Sequence, residues 1–188
     1  MDKTIRQGMV ESFFNQFYVT EILEKNAESP VLSELLAEYK KPVIVQDDLL
    51  GELMLNKRFS SFEGAIKWQG RSVSLSLDVD TGDEGSWTET INAAKQMLAE
   101  QDRWSKKMGD FAAKELSPLA NEWQGDVDES KSPITEQDFA KRIRLIELVM
   151  DAEGSFTAYH IDDDMFWGHS VTVYGNLESG IKSVQLEG

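Results

Sequence analysis

The chain has no cysteine, which removes disulfides, thiolate nucleophiles and cysteine-ligated metal sites from consideration. Histidine is nearly as scarce: His160 and His169 are the only imidazoles. No apolar run approaches the roughly 18 residues that a membrane span needs. The opening Met1-Asp2-Lys3-Thr4-Ile5-Arg6 has no basic stretch leading into an apolar segment. A cytoplasmic protein is therefore expected. Basic residues are few, 19 Lys plus Arg against 34 Asp plus Glu, for a net charge of −15. That field repels phosphate backbones and anionic headgroups, and no polybasic stretch counters it, so neither nucleic acid nor membrane is an expected partner. Basic protein surfaces and divalent cations are what it attracts. There is no internal repeat, no low-complexity segment, no glycine-rich phosphate loop and no Gly-x-Ser-x-Gly elbow.

What is present is enough for one well-cored domain: 40% hydrophobic residues, 10% aromatic, over 188 positions. Residues 1–42 read as an N-terminal helical extension. Ile5, Met9, Phe13 and Phe17 fall at four-residue steps, and Ser29-Pro30 starts a second helix with a capping serine. Lys41-Pro42 breaks the pattern, and residues 43–188 read as an α+β domain. Three alternating segments follow, around Leu49–Leu55, Phe62–Trp68 and Val73–Val79. The third, with serines or an aspartate between its apolar residues, is the clearest strand. Ser86-Trp87-Thr88-Glu89 has capping-box spacing and predicts a long central helix, with Gly109 and Pro118 as weak points. Thr135 caps a short helix, and about four more strands complete the chain. The expected fold is two antiparallel meanders, about seven strands, packed on the long helix.

Two stretches invite chemistry. In the first, Asp162 to His169, three acids run into Met165-Phe166-Trp167-Gly168 and a histidine. His160, Asp162, Asp164 and His169 have the right atoms to ligate a divalent metal. Their spacing matches no metal motif, and a solvated turn with Phe166 and Trp167 plugging the core explains the same letters. The second, Asp78 to Glu89, places oxygen groups as a calcium loop does but has Asp83 where the sharp turn wants glycine. An acidic turn entering a helix accounts for it equally. Trp167, His169 and Trp68 are candidate lining residues of a small-molecule or partner site.

Several segments resemble a known family. Leu50-Gly51-Glu52-Leu53 followed by Phe62-Glu63-Gly64, the run Asp164–Ser170, Gly175-Asn176-Leu177 and the ending Leu186-Glu187-Gly188 are similar to the bacterial domain of unknown function 2262. The resemblance spans residues 45–188 and implies a bacterial source and no established activity, so it carries over no catalytic residues. Two function classes follow. One is a non-enzymatic acidic binding protein that engages a basic protein, as an inhibitor or immunity-type protein does. The other is a divalent-metal-binding module or metal-dependent enzyme centred on the Asp162–His169 corner. No cofactor is expected under the first, and a divalent metal under the second.

Overall fold

The computed structural model describes residues 29–127 and 132–188. These fall into two compact units divided between Lys41 and Pro42. In the first unit, helix α1 (Pro30–Tyr39) starts as its sequence predicts: Ser29 Oγ accepts from the Leu32 amide at 3.3 Å, and Pro30 takes the first helical position. The stripe from Ile5 to Ile22 lies outside the described residues.

The second unit is α+β. Strands β1 (Ile44–Asp47), β2 (Gly51–Asn56), β3 (Ser61–Trp68) and β4 (Arg71–Asp78) form an antiparallel meander. Helices α2 (Glu84–Ala99), α3 (Gln101–Val127) and α4 (Glu136–Arg142) follow. A second antiparallel meander closes the chain: β5 (Arg144–Met150), β6 (Ser155–Ile161), β7 (Ser170–Asn176) and β8 (Gly180–Glu187). The two meanders share one eight-stranded sheet in sequence order, joined where β4 and β5 run parallel with Ser74 beside Glu147. A parallel pair needs a long crossover, and the three helices are that crossover.

The alternation seen in β4 sorts the faces. Val73, Leu75, Leu77 and Val79 are buried with Phe62, Ile66, Leu148, Phe156, Val171 and Val173. Met97, Trp104, Met108 and Ala112 of the helices are buried with them. Aromatic edges lock the layers: Trp104 meets Phe156 at 5.3 Å and Trp87 meets Phe62 at 5.1 Å, both edge-to-face. The opposite face carries Ser72, Ser74, Glu63 and Lys67.

Three details depart from the sequence reading. The described residues hold eight strands; β1 has only four residues, too few to show a period. Asp47 at its end binds the Leu49 and Leu50 amides and the Lys95 ammonium, 2.8 Å away. Burial pushes the Asp47 carboxyl upward, but Lys95 and the two amides outweigh it and hold it below the usual range. The long helix is two helices, broken at Glu100 rather than at Gly109 or Pro118. The break sets Gln101 against the tight β3–β4 turn, where its Oε1 accepts from the Gln69 amide at 2.5 Å. Finally, α2 begins at Glu84 with Asp83 as its cap, three residues before the predicted serine. Ser86 instead ties the preceding turn, accepting from the Asp80 amide and donating to the Asp83 carbonyl.

Glycine is required where β6 meets β7. Gly175 pairs with Phe156, and a Cβ there would lie 2.4 Å from the Phe156 ring. Gly175→Ala should therefore destabilise by about 1–3 kcal/mol, the usual cost of overpacking. Urea unfolding measures this, and Phe156→Leu in the same chain should restore part of the loss by vacating the space.

Candidate functional site

The β6–β7 connection, residues 162–169, is built against its backbone preferences. Asp163, Asp164, Trp167 and Gly168 all have positive φ, at 50°, 61°, 56° and 89°. Aspartate and glycine visit this region at modest cost, whereas tryptophan there is a genuine strain. Such strain persists only where surrounding structure over-determines it.

Four sets of contacts do so. Asp162 is buried, and its carboxylate oxygens accept from the Asp164 amide at 3.2 Å and the Phe166 amide at 2.6 Å. Arg142, leaving α4, donates from Nε to Asp163 Oδ2 at 2.8 Å and from Nη2 to the Asp163 carbonyl at 2.7 Å. Phe166 is wholly buried, edge-on to Phe139 and Trp123. His169 donates from Nδ1 to the Phe166 carbonyl at 2.6 Å.

Held this way, the loop presents Trp167 outward. The sequence reading had both aromatics plugging the core; only Phe166 does, and Trp167 is 61% exposed. Its ring leans on Trp123 of α3 at 4.7 Å, and Trp123 also meets the edge of His169 at 5.5 Å. A shallow cavity of about 130 Å³ beside it is lined by Trp123, Arg142, Asp164 and Trp167, among others. Asp164 is exposed, and its carboxylate has no partner among the described residues.

The other candidates are scattered relative to this loop. His160 is buried in β6, and its Nδ1 lies 3.1 Å from the Ala158 carbonyl and 3.2 Å from that of Val171. Both partners are acceptors, so Nδ1 carries the proton. Among the described residues no group of three or more His, Asp or Glu is placed to hold a metal ion. His160, Asp162, Asp164 and His169 thus do not assemble into a ligand set there; Asp162 is spent on amides and His169 on a carbonyl. Trp68 donates its indole N–H to Ser105 Oγ at 2.7 Å and lines a different cavity from Trp167, one that it shares with His160. In the calcium-like stretch, Asp80 and Asp83 accept from the Gly82 and Gly85 amides, which is the acidic-turn reading. Trp123 and Arg142, both central to the loop, were not among the sequence candidates. The only signal available was their place at the ends of predicted helices.

A family model described as an uncharacterized protein conserved in bacteria, DUF2262, matches residues 47–186. The chain belongs to that family. The match runs from the last residue of β1 into β8, so the DUF2262 domain includes the crossover helices and the Trp167 loop. No curated protein and no solved structure matches the chain. No helix among the described residues is long and apolar enough to cross a membrane.

Two outcomes are expected. Asp162→Ala strands the buried Phe166 amide and frees the part-buried Asp164 amide, so it should cost about 1–3 kcal/mol, and Trp167 emission should change as the loop loosens. Thermal melts and tryptophan fluorescence check both. Burial lowers the His160 pKa from 6.5 to about 4, against the pull of the Val171 and Ala158 carbonyls. The unfolded chain thus takes up a proton that the folded chain refuses. Stability is full above the unfolded value and falls as pH drops from 6.5 toward about 4. The loss should be roughly 2–4 kcal/mol. His160→Gln should remove that part of the slope in urea titrations run at successive pH values.

Proposed function

We propose that the DUF2262 domain is a non-enzymatic binding module that engages a basic protein partner in the cytoplasm through the Trp167 loop. The observation that carries this reading is an exposed indole held in left-handed backbone beside the Asp164 carboxylate, which has no partner among the described residues. Tryptophan dominates protein-binding hot spots because it buries much area with few rotatable bonds. A rigid loop supplies it with little ordering cost on association. The ring face and the Asp164 carboxylate are complementary to an arginine or lysine side chain, which gains both cation–π and charge attraction. The net charge of −15 favours the same partner at long range and accelerates encounter. An inhibitor or immunity-type role is the form of this activity that needs no catalytic group.

Binding should weaken by about 2 kcal/mol or more in Trp167→Ala, the scale of a hot-spot residue. Asp164→Asn should mainly slow association and reduce its salt dependence. Affinity capture with the wild-type chain and both variants, repeated at low and high salt, tests this. Proteins retained equally by Trp167→Ala would move the interface elsewhere on the domain. If only diffuse, salt-labile binding is recovered, the loop is not a recognition element.

A further inference from the structure

A second site lies at the end of the sheet where β4 and β5 both begin. Because the two strands run parallel, Arg71 at the start of β4 and Arg144 at the start of β5 lie at the same end, and both line one cavity. Lys141, from the last turn of α4, joins them around a cavity of about 290 Å³. No aspartate or glutamate lines this cavity, in a chain where acids outnumber bases 34 to 19. Among the described residues the side chains of Arg71, Lys141 and Arg144 have no ion pair or hydrogen bond, whereas five other cations are paired. The negative end of α4 accounts for a lysine in its last turn. It does not account for two arginines that open adjacent strands.

The wall of the cavity is polar in a directed way. His160 is only 4% exposed, yet it lines the cavity. Its Nδ1 is committed to two carbonyls, which leaves Nε2 as an acceptor with no partner among the described residues. Ser105 Oγ accepts from the Trp68 indole and keeps its own proton to donate. Three cationic residues with no partner among the described residues, one hydroxyl donor and one imidazole therefore line the same cavity. We propose that this cavity binds a small, multiply charged organic anion, phosphate or carboxylate, that also carries a hydroxyl group. The cations and Ser105 take the anionic oxygens, and His160 Nε2 accepts from the hydroxyl. Phosphate and carboxylate both suit guanidinium forks.

Isothermal titration calorimetry on the full chain at constant ionic strength, with citrate, tricarballylate and ribose 5-phosphate as probes, tests the proposal. Citrate and tricarballylate differ by one hydroxyl. Saturable one-site binding of citrate or ribose 5-phosphate is expected; whichever binds tighter names the head group. The variants Arg71→Gln and Arg144→Gln alter exposed, unpaired side chains, so folding is spared. Each should weaken binding at least tenfold, which is about 1.4 kcal/mol. Absence of saturable binding by every probe, or binding unchanged in both variants, overturns the site. Equal affinity for citrate and tricarballylate overturns the role given to His160.

Discussion

The parallel pairing of β4 with β5 is the constraint on which the rest of the domain depends. Every other strand pairing among the described residues is antiparallel and can be made by a short turn. This one forces the chain to leave the sheet at Asp78 and return at Arg144. The return journey is α2, α3 and α4, and their apolar stripe covers the buried sheet face. It also decides what shares an end. Arg71 and Arg144 share an end because the strands are parallel, and Arg144 pairs with Ile161, so the β6–β7 loop departs from that same end. One ladder therefore sets both the Trp167 loop and the basic cavity on one rim of the sheet.

The loop and the cavity use the helices differently. Trp123 of α3 and Arg142 of α4 hold the loop from outside, through a ring contact and an ion pair that reaches a backbone carbonyl. The neighbouring Lys141 has no ion pair or hydrogen bond from its side chain among the described residues. A run of four residues at the end of α4, Lys141-Arg142-Ile143-Arg144, thus splits into one structural cation, one buried apolar residue and two uncommitted cations. In an acidic chain, cations near carboxylates are normally neutralised. The cavity that Lys141 and Arg144 line has no acid in its wall.

Periodicity carried the fold. Strands as regular as β4 advertise their buried face through alternation, and the caps Ser29 and Thr135 start helices where they should. What could not be read was set by contacts distant in sequence. The helix break at Glu100 answers to Gln69 on a hairpin turn, and β1 is secured by Lys95 on α2. The candidate site was legible as a place rather than as a mechanism. The acidic corner was singled out, but the orientation of Trp167 follows from positive φ at Asp163, Asp164 and Trp167, which residue types alone do not specify. The clustering of His160 and His169 beside three acids likewise suggested a shared metal site, although their spacing matches no metal motif. The pleat turns His160 toward the core, while the loop turns His169 toward Trp123.

The one parallel ladder also governs how the chain reaches its native state. Each meander is assembled from neighbouring hairpins, so its contacts are local and can form early. The β4–β5 ladder must wait for the whole crossover to close, at an entropic cost that grows with the length of the loop. Until then β4 and β5 are two bare edges of opposite ends of the same chain, and each offers the same hydrogen-bonding row to any matching strand. The β5–β8 meander of one molecule fits the β4 edge of another as well as it fits its own. At high concentration, exchange of halves between two copies is the misassembly this topology leaves open.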